Sequence, residues 1–113
     1  MKARLPQGMG GGPGNMQAML RQAQKMQEDI AVLQEELDAR EYTAAAGGGA
    51  VSATVDGKHL LQALTIAPDV VDPEDPEMLA DLVMAAVNEA IRTAVATAEA
   101  EMAKVTGGAG LPF

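Results

Sequence analysis

The chain has 113 residues, sixteen acidic and eight basic side chains for a formal net charge of −8, and neither cysteine nor tryptophan. These counts exclude a disulfide framework and a Cys-His nucleophile, and no apolar run approaches the roughly 20 residues that a membrane span needs. The length predicts one domain, and we expect it in the cytoplasm because cysteine and a signal-peptide pattern are both absent. Since a short chain with an aliphatic core buries little area, we expect a homo-oligomer.

The charges are distributed unevenly along the chain. All acidic residues lie from Glu28 onward, whereas the charged side chains before it are all basic: Lys2, Arg4, Arg21 and Lys25. This asymmetry is typical of an anion-binding end on an acidic molecule. It is also typical of terminal cations that only aid solubility, and charge alone favours this second interpretation.

The first element along the chain is a helix that follows a glycine-rich arm. Residues 1–14 are rich in glycine, proline and methionine and predict a flexible arm. Asn15 predicts the cap of the helix, in which apolar residues recur at alternating spacings of three and four. This heptad seam consists of Met16, Met19, Ala23, Met26, Ile30, Leu33 and Leu37.

Two cations of this first helix, Arg21 and Lys25, lie one turn apart. We expect them on the face opposite the seam, with glutamines nearby, where they could lie along a phosphate backbone. An ordinary solvated face is the other interpretation, and it stays open at this point. From Glu28 onward the helix becomes acidic, and that portion should repel DNA.

Alternation of apolar and polar residues over 41–66 predicts a three-stranded antiparallel meander. Glycines at 47–49 predict the first turn, and Asp56-Gly57 predicts a tight hairpin. In the third strand, over residues 60–66, we expect Leu64 and Ile66 to point inward. Three short strands leave open edges, which a second subunit could cover.

A long last helix is predicted from Asp75 to Lys104, with Asp75 as its cap and Pro76 in its first turn. The acidic residues near its start do not have the spacing of a calcium loop. We expect the first five turns to be buried and the rest to project. The expected buried stripe has one bulky ridge, Leu79, Val83, Val87, Ile91 and Val95, and one ridge of mostly small residues, Leu82, Ala86, Ala90, Ala94, Ala98 and Met102.

The sequence contains few residues that could carry out catalysis. His59 is the only histidine, and no nucleophile-elbow motif accompanies Ser52. One histidine with scattered carboxylates is also a poor zinc-ligand set. We therefore expect a protein that is not an enzyme and has no metal or cofactor.

Several motifs, in order along the whole chain, resemble one family. Residues 79–90 read LADLVMAAVNEA, similar to the family motif L-x-D-L-V-x-A-A-x-N-[DE]-A, and GNM at 14–16 is followed by QAQKMQ at 22–27. The triple glycine before a strand, Asp56-Gly57-Lys58 and the final Leu111-Pro112-Phe113 also agree. On these residues the chain resembles the YbaB/EbfC family of small bacterial nucleoid-associated proteins.

The resemblance implies an α+β protomer in the order α-β-β-β-α, with the meander between two long helices, and a homodimer in which the helices form tweezer-like arms. We expect one domain at 15–105, between a flexible arm at 1–14 and a flexible tail at 106–113. The resemblance also implies binding of double-stranded DNA with low sequence specificity, and a role in nucleoid organisation, gene expression or repair.

Phosphate contact is the expected mode of DNA binding, because the sequence shows no zinc site or helix-turn-helix for reading bases. Few cations per protomer predict weak, salt-sensitive binding that several dimers on one DNA would strengthen. The last helix contains few basic residues. The residues expected to contact DNA are Lys2, Arg4, Arg21 and Lys25, followed by Arg92 and Lys104.

A second hypothesis belongs to a different functional class. The protein could be a dimeric adaptor whose acidic helices bind a basic protein partner in recombinational repair, with DNA contact incidental. The acidic faces at residues 28–38 and 99–101 favour this interpretation.

Overall fold

The computed structural model describes residues 12–106, with side chains described from residue 15. It confirms the α+β class and the predicted α-β-β-β-α order. None of the helices in the described range is apolar enough over a sufficient length to cross a membrane. The elements are helix α1 (Gly12–Ala39), strands β1 (Glu41–Ala46), β2 (Val51–Asp56) and β3 (Leu61–Ile66), a 3-10 turn (Pro68–Val70) and helix α2 (Pro76–Thr106).

The two helix starts differ in how well the sequence predicted them. The cap at Asp75 is confirmed, because its Oδ1 accepts a hydrogen bond from the backbone N–H of Met78 at 3.2 Å. The cap predicted at Asn15 is wrong, because α1 begins three residues earlier, at Gly12. Pro13 does not prevent this start, since proline is tolerated in the first turn of a helix.

The sheet is an antiparallel meander in the order β1-β2-β3, as predicted. Its inner face is built on the central strand, where Val51, Ala53 and Val55 have no exposed area. Opposite residues share a face, so Tyr42 joins Val55 and Ala44 joins Ala53 on this side of the sheet. The alternation seen in the sequence therefore corresponds to one covered and one open face.

Helix α2 covers the inner face with its small ridge. Ala86, Ala90 and Ala94 are buried against the sheet, whereas the bulky ridge is only half-buried and Val95 is 38% exposed. The prediction that the first five turns are buried therefore holds for the alanine ridge alone. Alanine has a short side chain, so it lets the helix approach the sheet closely, and the larger residues then flank the contact.

The two hairpin turns use glycine for different reasons. Gly47, Gly48 and Gly49 all have positive φ, which confirms the first turn. The tight hairpin predicted at Asp56-Gly57 is confirmed, because the backbone N–H of Asp56 donates to the carbonyl of Leu60 at 3.0 Å and that of His59 to the carbonyl of Asp56 at 3.0 Å. The positive φ of this second turn, 70°, belongs to His59 and not to the glycine. Glycine is required at position 57 because the turn lies close to α1, and a Cβ there would overlap the backbone carbonyl of Leu37.

Asp56 organises that second turn through its carboxylate. Its Oδ1 accepts the backbone N–H groups of Lys58 at 2.9 Å and Leu60 at 3.0 Å, and its Oδ2 accepts the side-chain amide of Gln62 at 2.9 Å. These bonds, led by the one from Leu60, lower the pKa of Asp56 below its ordinary value. The turn is therefore an aspartate-centred loop, after which β3 starts at Leu61.

Strand β3 remains largely uncovered. Leu64 lies opposite Ala53 and so on the inner face, but it is 39% exposed, and Leu61 opposite Val55 is 48% exposed. The helix packs mainly on β1 and β2, which explains why the inward position of Leu64 does not bury it. Ile66, at the other end of the strand, packs partly against the core as predicted.

The molecule is elongated and its core is small. Its radius of gyration is 23.8 Å, whereas a compact domain of this size has one near 13 Å, and its principal dimensions are 87 × 23 × 16 Å. Such a shape leaves much apolar surface to be covered by something else. Within the described range the buried apolar residues are Leu37, Tyr42, Val51, Ala53, Val55, Ala86, Ala90 and Ala94.

Candidate nucleic-acid interface

The basic residues of α1 lie on a part of the helix that extends away from the sheet. Along the seam, Leu37 is buried, Ile30 and Leu33 are half-buried, and Met16 and Met19 are more than 60% exposed. Burial thus falls steadily toward the N-terminal end of α1. The heptad seam seen in the sequence is covered only in its second half.

Helix α2 runs antiparallel to α1. Ala90 and Ala94 pack with Tyr42, which lies just after the end of α1, and Val105 lies in a groove beside Met19 and Met26. As α2 proceeds toward its C-terminus, it therefore passes back along α1. The last turn of α2 and the first half of α1 together form one end of the molecule, which we call the projecting end (residues 15–29 and 102–106).

Arg21 and Lys25 are exposed on this projecting end. They line a shallow surface depression of α1 together with the side-chain amides of Asn15, Gln22 and Gln24, and Met19 and the carboxylate of Glu28 also line it. Within the part of the chain that the structure describes, no carboxylate lies at ion-pair distance from Arg21. A guanidinium beside several amide donors is well suited to the oxygens of a phosphate backbone.

Lys25 contacts two neighbouring surfaces of the projecting end. Its Nζ lies 3.7 Å from Asp29 Oδ1, and its side chain borders the groove formed by Met19, Met26 and Val105. Lys25 therefore lies on the side of α1 between the depression around Arg21 and the edge of the seam, because its long side chain lines both. The ion pair is weak, since both side chains are more than half exposed, and a phosphate could replace the aspartate.

Arg92 and Lys104 on α2 are each paired with a carboxylate of their own helix. Nε and Nη2 of Arg92 lie 3.0 and 2.8 Å from Glu89 Oε1, and Nζ of Lys104 lies 3.5 Å from Glu101 Oε2. Both cationic side chains are exposed, so these pairs contribute little stability. Neither cation is held in the interior of the protein, and both can be approached by a ligand.

The structure brings only some of the predicted DNA-contacting residues together. Arg21, Lys25 and Lys104 all belong to the projecting end, since Lys104 precedes the groove residue Val105. Arg92 lies twelve residues before Lys104, about 18 Å back along α2 toward the sheet. Lys2 and Arg4 lie outside the described residues.

Two further cations, Arg40 and Lys58, do not belong to the predicted DNA-contacting residues. Lys58 lines a pocket together with the acidic residues Glu35, Asp38 and Asp56, which makes it a poor phosphate contact. Arg40 connects α1 to β1, between Glu36 and Glu41 in sequence. The acidic surroundings of both residues separate them electrostatically from the projecting end.

A metal-binding cluster is the other kind of site for which the described surface can be searched. Across residues 12–106 there is no group of three or more histidine, cysteine, aspartate or glutamate side chains placed to hold a metal ion. His59 is exposed in the Asp56 turn.

Comparison with known proteins gives a consistent result. The model of the YbaB/EbfC DNA-binding family matches residues 11–109. A nucleoid-associated protein of Alkaliphilus metalliredigens is 53% identical over 105 residues, which cover 93% of this chain and 91% of that protein. A nucleoid-associated protein of Clostridium acetobutylicum is 50% identical, covering 93% of this chain and 92% of that one.

A solved structure also shares the fold. The crystal structure of an uncharacterised protein from Helicobacter pylori superposes with a TM-score of 0.56 at 25% sequence identity. The match covers 68% of this chain and 89% of the other.

Proposed function

Because this chain belongs to the YbaB/EbfC DNA-binding family, we propose that it is a nucleoid-associated protein that binds double-stranded DNA as a homodimer. It contacts phosphates with low sequence specificity and acts at the nucleoid, in the cytoplasm, on nucleoid organisation, gene expression or repair. Residues 15–105 form its single DNA-binding domain. Several dimers on one DNA strengthen the binding, and a repair protein is a further candidate partner.

The exposed cations of the projecting end are the observation that carries this proposal. Arg21 and Lys25 stand among amides on a helix that protrudes from the acidic body, and Lys104 lies on the neighbouring helix turn. Duplex DNA presents one negative charge per roughly 1.7 Å of its axis, so a protruding basic rod can meet several phosphates. Lys2 and Arg4 precede this helix in sequence and would extend the same basic end.

The lack of exposed aromatic side chains among residues 15–106 supports a duplex rather than a single strand as the ligand. Proteins that bind single strands without sequence preference stack bases on exposed aromatic residues. The only tyrosine, Tyr42, is 6% exposed and belongs to the core, and the chain has no tryptophan. Residues 15–106 therefore offer no aromatic platform on their surface.

The homodimer is proposed from the uncovered strand β3. Its free edge can accept another strand, and Leu60, Leu61 and Leu64 beside it are 59%, 48% and 39% exposed. A monomer with so small a core would leave this apolar surface in water. A second copy covers it and doubles the number of cations presented to DNA.

Two measurements test the phosphate-contact mode of DNA binding and the homodimer separately. The first compares binding of the purified protein to a labelled duplex, to an unrelated duplex and to a single strand. The proposal requires similar affinity for the two duplexes and weaker affinity for the single strand. Equal or tighter binding of the single strand would contradict the phosphate-contact mechanism.

The second measurement is sedimentation of a Leu61→Asp/Leu64→Asp variant. Charged residues at these two exposed positions of β3 should convert the protein to a single copy, whereas Val32→Asp, at a 53% exposed position on α1, should leave the dimer intact. A double variant that sediments as wild type would place the interface elsewhere.

The alternative of an acidic adaptor in repair is not favoured. The family description is that of a DNA-binding protein, and the relatives are named for association with the nucleoid. The acidic faces are better explained as solvated surfaces that keep the body of the protein away from DNA.

A further inference from the structure

An apolar groove lies between the two helices at the projecting end. Its apolar lining consists of Met19, Ala23, Met26 and Val105, and Gln22, Lys25 and Asp29 also line it. It continues toward the N-terminal end of α1 as a stripe of exposed side chains, where Met16 is 63%, Met19 65% and Leu20 59% exposed. We call the whole surface the methionine groove.

The methionine groove has the chemistry of a binding surface for apolar side chains. Methionine is flexible and polarizable, so it adapts to partners of irregular shape, including aromatic rings. Exposed apolar residues that are contiguous usually mark an interaction site. Double-stranded DNA does not suit this surface, because its outside is polar and charged.

The chain itself provides apolar side chains at the edge of this groove. Helix α2 ends at Thr106, one residue after the groove residue Val105. Beyond the described residues the sequence continues as Gly-Gly-Ala-Gly-Leu-Pro-Phe, in which Leu111 and Phe113 are the large apolar side chains. Phe113 is the only phenylalanine of the chain.

The distances along the chain allow these two residues to reach the methionine groove. An extended backbone spans at most about 3.4 Å per residue, so Leu111 can lie up to about 17 Å from Thr106, and Phe113 up to about 24 Å. Met19 is seven residues from Met26, or about 10 Å along α1. Since α2 runs antiparallel to α1, the chain leaves α2 in the direction of Met19 and Met16, without having to reverse.

We propose that Leu111 and Phe113 of the same chain bind in the methionine groove and cover its exposed methionines. Docking within one chain is favoured over docking on a second copy because a connection of only a few residues produces an effective concentration in the millimolar range. The four residues at 107–110 are glycine or alanine, which can adopt whatever path the docking requires.

Tryptophan fluorescence of a Phe113→Trp variant tests the proposal, because the chain has no other tryptophan. The emission should shift to shorter wavelength relative to the free heptapeptide Gly-Gly-Ala-Gly-Leu-Pro-Trp. If the dissociation constant of the contact is also millimolar, about half of the tails are docked, and quenching by acrylamide weakens up to about twofold. Emission and quenching identical to those of the peptide would overturn the proposal.

A charge introduced into the groove provides the second arm of the experiment. Met19→Glu in the Phe113→Trp background should return the emission to that of the peptide. Met84→Glu is the matched control, because Met84 is 56% exposed on α2 but about 31 Å from Val105 along the helix. Circular dichroism checks that each variant is folded. A shift that persists in the folded Met19→Glu variant would place Phe113 elsewhere.

Mixing distinguishes the same chain from a second copy. A Met19→Glu/Phe113→Trp protein is mixed with wild type, which has an intact groove and no tryptophan. Emission that stays like that of the peptide supports docking within one chain. Recovery of the blue shift would overturn it in favour of a second copy. The fluorescence experiment contains no DNA, so its result is independent of the function proposed above.

Discussion

Replacing Arg21 and Lys25 with glutamine removes two charges from the projecting end while keeping side chains of similar length. Each phosphate contact contributes about −0.9 to the slope of log affinity against log salt. A homodimer that uses both residues makes four such contacts, so the slope of the variant should be shallower by about 3.6. If Asp29, which lies 3.7 Å from Lys25, already neutralises that lysine, the difference falls toward about 1.8.

The size of this effect is large enough for a simple titration. Over a fourfold rise in salt, from roughly 50 to 200 mM, four contacts reduce the affinity about 150-fold. The affinity of the double variant should therefore decrease about 150-fold less than that of wild type over the same salt range. Fluorescence anisotropy of a labelled duplex across a salt series measures both slopes, and sedimentation confirms that the variant is still a dimer.

The control for this experiment is Arg40→Gln/Lys58→Gln, which changes the net charge equally but at the acidic part of the molecule. Its slope should be close to that of wild type. An unchanged slope for Arg21→Gln/Lys25→Gln would remove these residues from the interface. An equal change in both double variants would show that DNA binding depends on net charge alone. The location of Arg21 and Lys25 at the projecting end would then have no special role.

Three further predictions concern the fold. Gly57→Ala should destabilise the protein by about 1–3 kcal/mol in urea unfolding, because the new Cβ would overlap the carbonyl of Leu37, and an unchanged midpoint would show that α1 and the turn separate easily. Tyr42→Phe should raise stability by up to about 1 kcal/mol, because the buried hydroxyl has no hydrogen-bond partner in the described part of the chain; a loss of stability would indicate a bound water or partner group. Asp56→Asn should be less stable than wild type at neutral pH. Since folding lowers the pKa of Asp56, this difference should be present above its ordinary pKa of 3.8 and disappear as the pH falls through the lower folded-state pKa. A difference that does not change with pH would show that the carboxylate charge is not what holds the turn.

Local signals predicted the elements well. The Asp75 cap and the proline after it depend on one turn of helix, and the alternation of Val51, Ala53 and Val55 depends on one strand. In these cases the residues that determine the structure are close together in sequence. The order of the elements and the first glycine turn could be predicted for the same reason.

Local signals were not sufficient where distant parts of the chain meet. Gly57 lies in the predicted turn, but glycine is required there because α1 approaches the second hairpin closely, which no local signal shows. Leu64 does lie on the inner face, but α2 packs on the other two strands and leaves it exposed. Val105 of the distant helix α2 and the methionines of α1 form a groove that the side chain of Lys25 borders, and this groove has no signal in the sequence around Lys25.

The sequence by itself determined the helices, the meander, the uneven distribution of charge and the family, because these follow from local periodicity, capping and motif order. Only the tertiary structure decided that the alanine ridge is the buried one and that β3 keeps its leucines exposed. It also decided that Lys104 lies at the same end as Arg21 and Lys25, while Arg92 lies nearer the sheet. The physical reason is that helix-on-sheet and helix-on-helix packing depends on how closely whole surfaces can approach, which no short stretch of sequence contains.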